Sequence, residues 1–151
     1  MSMTPEIDTN SARRRWMGLA AKAKPEALAA LLPELPAHDL LRGPETGTVM
    51  VRGRAGGVGA AFNLGEMSVT RCALRLSDGS VGHGYVQGRS RDHAIRAAVL
   101  DALMQGAAAA EIEAQVFAPL EAGAQALRKS RAAKAAATKV EFFTMVRGEA
   151  E

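Results

Sequence analysis

An Asp-Gly pair at Asp78-Gly79 lies between two segments of alternating apolar and polar residues, and it constrains the fold more than any other feature of the sequence. Such a pair predicts a two-residue β-hairpin loop, because a type I′ turn needs positive φ at both central positions. With a loop of that length, Leu74 pairs with His83, and Cys72 pairs with Tyr85. The sequence therefore predicts an antiparallel sheet built around this hairpin.

This register divides the hairpin side chains between two faces, because successive side chains of a strand point to opposite sides. One face is mostly apolar and consists of Cys72, Leu74, Leu76, Val81, His83 and Tyr85. The other face consists of Arg71, Arg75, Gly82, Gly84 and Val86. We expect the apolar face to pack under the helix that follows at Asp92–Met104. We expect the face with the two arginines and the glycines to meet a partner or its substrate, since strands without side chains permit a close approach.

The chain before the hairpin predicts an N-terminal helix pair and further strands. Ser11 is a suitable cap for the first helix, and Lys24-Pro25 ends it and begins the second. Leu40-Leu41 and Thr46–Arg54 indicate two strands with a turn at Gly43-Pro44 between them. Together with the hairpin, these segments predict an antiparallel meander of about four strands.

The chain after the hairpin predicts helices. Ser90 is a suitable cap for a helix with a wide apolar stripe, and the alanine-rich segment from Leu120 to about Lys139 has high helix propensity. The expected fold is α+β, with C-terminal helices packed on the meander. We expect residues 1–10 to form a disordered tail and residues 11–151 to form a single domain. Its segment from about 120 to 148 is expected to dock on a partner.

Composition limits the classes of function. The chain has 151 residues, a net charge of +3 and one cysteine, so it cannot form an intramolecular disulfide. Neither a signal peptide nor a membrane-spanning run is visible, and we expect a cytoplasmic protein. No aromatic residues interleave with the arginines as a stacking surface, which argues against a nucleic-acid partner.

No catalytic or metal-binding constellation stands out. The cysteine and the three histidines match no zinc spacing, so we expect no metal; these residues are Cys72, His38, His83 and His93. The glycine-rich run at 52–59 permits two interpretations. Backbone amides in such a loop can bind phosphate, but this loop leads into a strand and lacks the Lys-Ser/Thr of a Walker A motif. A flexible hairpin connection is the favoured interpretation.

Two sets of residues are candidates for binding. The candidates for contact with substrate phosphates are Arg71, Arg75, His83 and Arg89, because arginine suits bidentate phosphate binding. Alternatives are that the arginines extend from beneath a covering helix or pair with carboxylates of a partner. The candidates for a partner interface are a basic helix edge and an apolar tail, consisting of Arg128, Arg131, Lys134, Phe142, Phe143, Met145 and Arg147.

Four colinear blocks of the sequence are characteristic of a known family. They read PETGTVMVRGRAGG, TRCALRLSDGSVGHGYVQGRSRDHA, DALMQ and VEFFTMVRGE. From about Arg15 to Gly148 the chain resembles the small subunit of the bacterial carbon–phosphorus lyase core complex, the PhnG family. The resemblance rests on several long blocks with similar spacing and not on one generic motif.

The resemblance implies a subunit of a transferase complex in phosphonate metabolism. Such a complex transfers the ribose triphosphate of ATP to an alkylphosphonate and releases adenine. The implied partners are a nucleosidase-like subunit, radical-cleavage subunits and ATPase accessory subunits, in a hetero-oligomer. ATP is then a substrate of the complex, and this chain alone is expected to bind no cofactor and to lack a complete active site. No catalytic residue is carried over. The rival hypothesis is a stand-alone binding module for an anionic metabolite or nucleotide, which predicts a stable monomer that binds nucleotide alone.

Overall fold

The computed structural model describes residues 9–140 and has the predicted α+β architecture. A three-stranded antiparallel sheet follows two N-terminal helices and precedes three C-terminal helices. The elements are α1 (Thr9–Lys22), α2 (Pro25–Leu31), β1 (His38–Arg54), β2 (Ala61–Leu76), β3 (Val81–Gln87), α3 (Arg91–Leu103), α4 (Ala109–Ile112) and α5 (Ala118–Ala137).

The sheet has the strand order β1-β2-β3, one strand fewer than expected. The difference arises at Gly43-Pro44, where the sequence predicts a turn and the structure has one continuous strand, β1. The ladder with β2 instead takes up irregularities between Leu40 and Glu45. An edge strand tolerates proline at a position whose N–H group would face away from the neighbouring strand. No hydrogen bond of the ladder is lost there, because that N–H group would not take part in it.

Helix α3 packs on one face of the sheet and forms the centre of the core. Ser90 caps it as predicted, since its hydroxyl accepts a hydrogen bond from the His93 backbone N–H at 3.2 Å. Leu74 and Val86 of the sheet are fully buried with the apolar residues of α3. Ala20 of α1 and Leu28 of α2 join the same cluster, so both N-terminal helices pack on the core.

The C-terminal helices follow α3 after a short turn. The expected interruption at Phe117-Ala118-Pro119 takes the form of a π-helical turn at Glu113–Phe117 between α4 and α5. Phe117 is fully buried there and anchors this turn in the core. Pro119 lies in the first turn of α5, where its missing N–H group would have no intrahelical partner.

The chain divides into two compact units at Glu121 and Ala122, so most of α5 belongs to the second unit. The residues of α5 include none that is buried. Within residues 9–140, no helix is long and apolar enough to cross a membrane.

Candidate functional site

The central hairpin has a three-residue loop, Ser77-Asp78-Gly79, instead of the predicted two-residue loop. The Leu76 N–H donates to the Ser80 carbonyl at 2.9 Å, and the Gly79 N–H donates to the Leu76 carbonyl at 3.0 Å. Gly79 has a φ of 90°, and no non-glycine residue of the described chain has positive φ. These features are typical of a type I turn followed by a glycine bulge. The Asp78 carboxylate accepts from the Ser80 N–H at 2.9 Å, and this bond lowers the pKa of Asp78.

The additional loop residue shifts the strand register by one, so Cys72 pairs with Gly84 and Leu74 pairs with Gly82. A shift of one residue moves every side chain of β3 to the opposite face. The glycines therefore lie on the core face, against α3. A Cβ built on Gly84 would stand 2.1 Å from the Ala94 carbonyl oxygen, so the helix backbone occupies the space of the missing side chain.

The prediction that His83 and Tyr85 pack under the helix is wrong. The same register shift places both side chains on the open face of the sheet with Arg71 and Arg75, and Tyr85 is 52% exposed. The expected arginine-and-glycine face does not exist. The two arginines instead share the open face with the His83 imidazole and the Tyr85 phenol, both of which can donate hydrogen bonds.

Arg71 lies at the centre of this open face, because it belongs to the middle strand. It pairs with Tyr85 of β3 on one side and with Glu45 of β1 on the other. Its guanidinium donates weakly to the Glu45 carboxylate at 3.4 Å, and the Arg42 guanidinium lies 3.9 Å from the same carboxylate. All three side chains are more than half exposed, so these ion pairs are weak and leave the guanidinium groups accessible to another anion.

Two adjoining depressions of the open face share Arg71 and Tyr85. The first has a volume of about 330 Å³ and extends along β1 past Thr46 and Thr48. The second has a volume of about 420 Å³ and is also lined by Arg42, His83 and Ala73. Both are open hollows, so a ligand bound here would remain uncovered on one side.

The structure brings together two of the four predicted phosphate contacts. Arg71 and His83 line the same depression, whereas Arg75 and Arg89 line neither. Arg89 is exposed in the turn between β3 and α3. Arg42 and Tyr85 also line this depression but were not among the predicted contacts. The alternation of Gly82 and Gly84 opposite an alanine-rich helix was the signal that could have fixed the register and revealed Tyr85.

A buried carboxylate, Asp101 of α3, holds β3 in place by hydrogen bonds from the side of the sheet opposite the open face. Its oxygens accept from the Arg13 guanidinium at 2.8 and 3.1 Å and from the Trp16 indole N–H at 2.9 Å. They also accept from the His83 backbone N–H at 2.9 Å. The hydrogen bond to Asp101 raises the pKa of Arg13. Asp101 thus ties α1, α3 and β3 together and fixes the strand that carries His83 and Tyr85.

The remaining titratable groups show no second centre among residues 9–140, where no three His, Cys, Asp or Glu side chains are grouped as for a metal ion. Cys72 is buried in β2, and burial raises the pKa of its thiol, which disfavours the nucleophilic thiolate. His93 is buried, and one ring nitrogen, Nε2, lies 2.9 Å from the Ala20 carbonyl oxygen.

The glycine-rich run at 52–59 connects β1 to β2 through a single 3₁₀ turn at Ala55–Gly57. Gly56 and Gly57 have φ values of 61° and 79°, which only glycine adopts readily. The run therefore includes the connection between two antiparallel strands, as expected, while its flexibility stays a prediction.

The predicted interface residues fall in two groups. Arg128, Arg131 and Lys134 are exposed on α5, at a spacing of three residues. The tail candidates Phe142, Phe143, Met145 and Arg147 lie outside the described residues.

Comparison with known proteins identifies the family. The family model described as phosphonate metabolism protein PhnG matches residues 11–148. A protein of Rhizobium meliloti (strain 1021), named alpha-D-ribose 1-methylphosphonate 5-triphosphate synthase subunit PhnG, is 47% identical over 144 residues. The match covers 91% of this chain and 90% of that protein. The chain therefore belongs to the PhnG family of phosphonate metabolism proteins.

Proposed function

We propose that this chain is a non-autonomous subunit of an alpha-D-ribose 1-methylphosphonate 5-triphosphate synthase. In this role it is needed for the transfer of ribose triphosphate from ATP to an alkylphosphonate, with release of adenine. The observation that carries the proposal is the 47% identity to the Rhizobium meliloti subunit over nearly the full length of both chains. The partners are the other subunits of the synthase.

The site geometry supports a subunit that does not act alone. Its cationic depressions are open, and a highly charged substrate would stay in contact with water on one side. Water screens charge–charge interactions strongly, so a second protein surface that closed the face would strengthen every contact made by Arg71. A shared site between subunits fits this arrangement.

Reconstitution tests the proposed function. The other synthase subunits are purified without this chain and supplied with ATP and methylphosphonate, and adenine release is measured by chromatography. We expect adenine release only when this chain is added. An equal rate without it would refute the proposal. Tight binding of ATP by this chain alone, as a stable monomer, would favour the rival stand-alone binding module.

Arg71 is the residue of the open face that we assign to substrate phosphate. In the reconstituted synthase, Arg71→Ala should lower kcat/KM by roughly tenfold or more, because the loss of a charge-assisted hydrogen bond costs about 1.5–3 kcal/mol. Arg75→Ala is the matched control on the same strand and should change kcat/KM by less than about twofold, since Arg75 lies outside both depressions. Full turnover and assembly of the Arg71→Ala variant would remove this assignment.

The basic edge of α5 and the tail are assigned to docking. Arg128, Arg131 and Lys134 are exposed on a helix with no buried residue. Deletion of all residues after Lys139 should abolish co-purification with the larger subunits, and the triple exchange of the three basic residues to glutamine should weaken it. Assembly unchanged by the deletion would refute the docking role of the tail.

A further inference from the structure

The sheet continues beyond β3 as a two-stranded ribbon, formed by residues 48–54 of β1 and 61–68 of β2. The last pair between β2 and β3 is Val69–Gln87, so the ribbon extends past the three-stranded region. At about 3.3 Å per residue its length is roughly 23 Å. An isolated two-stranded ribbon is marginally stable in water. The ribbon therefore indicates a surface that is completed by another chain.

One edge of the ribbon has a free row of backbone groups. The Ser68 carbonyl accepts the last hydrogen bond toward β3, from the Gly88 N–H at 2.8 Å. Gly88 has a φ of 95° and leads the chain away toward α3. Because backbone direction alternates along a strand, the N–H and C=O of Glu66 point the same way as those of Ser68. No strand in the described part of the chain pairs with that side of residues 61–67.

This edge has few of the features that protect free strands in monomeric proteins: one charged residue, Glu66, and one register irregularity between Gly65 and Asn63. The segment of β2 at 61–68, AFNLGEMS, contains no proline, lysine or arginine. The outer edge of β1, in contrast, carries Pro44, Arg52 and Arg54. Proline and charged residues on an edge strand prevent pairing with other chains. With Glu66 as its single charged residue and no proline, the edge of β2 is less protected than the outer edge of β1, which makes it the edge for pairing with a further strand.

Exposed apolar side chains are concentrated on the same ribbon. Phe62 and Leu64 of β2 are 46% and 61% exposed, and Met50 of β1 is 54% exposed. Val58 at the connecting turn is 92% exposed. Large exposed apolar side chains in this number are typical of an interaction surface. It gives an added strand apolar side chains to pack against.

We propose that an extended segment of another synthase subunit adds to the free edge of β2 at residues 61–67 as a fourth strand of the sheet. This inference rests on the proposed function. Backbone hydrogen bonds and alternate apolar side chains would supply the affinity, as in other cases of strand addition. The ribbon carries Arg52 and Arg54 against the single carboxylate of Glu66, so the incoming segment should be acidic. A second copy of this chain would instead bring two cationic ribbons together.

Co-purification with tagged partner subunits tests the inference, with Glu66→Pro as the main variant. Proline at 66 removes an edge N–H that β1 does not use and so leaves the β1–β2 ladder in place. Glu66→Ala controls for the lost side chain. Thr48→Pro is the matched control on the outer edge of β1, since Thr48 pairs with Ser68 and its N–H points away from β2. Phe62→Lys is a second variant that places a charge on the edge and keeps the backbone intact.

We expect Glu66→Pro and Phe62→Lys to reduce the recovered complex at least tenfold, with Glu66→Ala and Thr48→Pro near the wild type. Wild-type recovery of all four variants would overturn the inference but leave the proposed function intact. Failure of the wild-type chain itself to co-purify would instead refute the proposed function. A dimer of this chain alone that Glu66→Pro converts to monomer, with the complex unaffected, would identify a second copy as the occupant and also overturn the inference.

Discussion

The close approach of α3 to β3 gives the sharpest test of the hairpin register. Gly84→Ala adds one methyl group on the core face, and that Cβ would stand 2.1 Å from the Ala94 carbonyl oxygen and 3.1 Å from the Ala98 backbone nitrogen. Both neighbours are backbone atoms of one helix, so a change of side-chain rotamer cannot relieve the overlap. Helix α3 would have to move away from the sheet by at least about 1.3 Å to bring the 2.1 Å separation to the 3.4 Å of ordinary van der Waals contact.

The cost of that movement follows from what α3 buries. A separation of 0.5–1 Å forfeits about a quarter to a half of the dispersion energy of each contact across the gap. Val99 and Leu100 are fully buried on this helix, and Leu74 and Val86 are fully buried on the sheet. Overpacked core substitutions cost about 1–3 kcal/mol, and an overlap between two backbones belongs at the upper end or above it. We expect Gly84→Ala to lower the free energy of unfolding by about 3 kcal/mol or more.

Urea denaturation followed by circular dichroism measures the effect. With a slope of about 1–3 kcal/mol per molar urea, a loss of about 3 kcal/mol lowers the midpoint by roughly 1–3 M. Gly47→Ala is the matched control in the same sheet, because a Cβ on Gly47 meets no atom within 4 Å and its φ is not positive. That change should be neutral or slightly stabilising, since it lowers the entropy of the unfolded chain.

The two possible registers predict opposite results for Gly84→Ala. A two-residue loop would place Gly84 on the open face with Arg71, where an added methyl group has space. A free energy of unfolding within 1 kcal/mol of the wild type would therefore refute the observed register and the assignment of the open face that depends on it.

Four further variants test the packing and the turn that support this face. Asp101→Ala should lower the free energy of unfolding, measured by urea denaturation, by about 2–4 kcal/mol, because it leaves the Trp16 and His83 N–H groups unpaired. Arg15→Met removes exposed ion pairs to Glu113 and Glu121 and should lower it by no more than about 1 kcal/mol. Gly79→Ala should cost about 1–2 kcal/mol, because Gly79 has a φ of 90°, and a melting temperature equal to that of the wild type would argue against the glycine bulge. Burial raises the pKa of the Cys72 thiol, so its contribution to stability is full below the unfolded pKa of about 8.5 and is lost as the pH rises through the folded value. The wild-type melting temperature should therefore fall more steeply above about pH 8.5 than that of Cys72→Ala. Parallel curves of melting temperature against pH would contradict the raised pKa of the buried thiol.

Local chemistry was enough to predict most of the elements. Ser90 before an apolar stripe and Pro25 after Lys24 are boundary signals that depend only on neighbouring residues. The structure begins α3 and α2 at these points. The number of strands was harder to predict, because Gly43-Pro44 has the composition of a turn whether the chain reverses or continues as an edge strand. Only the partner strand distinguishes the two cases, and the partner is distant in sequence.

The register depended on a choice that the loop composition left open. Asp-Gly occurs in two-residue loops, and it also occurs in three-residue loops that place only the glycine at positive φ. Packing decides between them. The longer loop directs Gly82 and Gly84 at the backbone of α3 and buries Val86. The shorter loop would have directed His83 and Tyr85 at a helix too close to accommodate them.

The same choice determines what the open face can do. In the predicted register, Arg71 and Arg75 stood beside glycines, and the absence of side chains was the reason to expect a ligand. In the observed register those glycines hold α3 against the sheet, and the open face gains the imidazole of His83 and the ring of Tyr85. A phosphate at Arg71 would then have hydrogen-bond donors on β1, β2 and β3, from Arg42, Arg71, His83 and Tyr85. The close packing of one face and the hydrogen-bond donors exposed on the other thus have one cause, because a single strand register determines both.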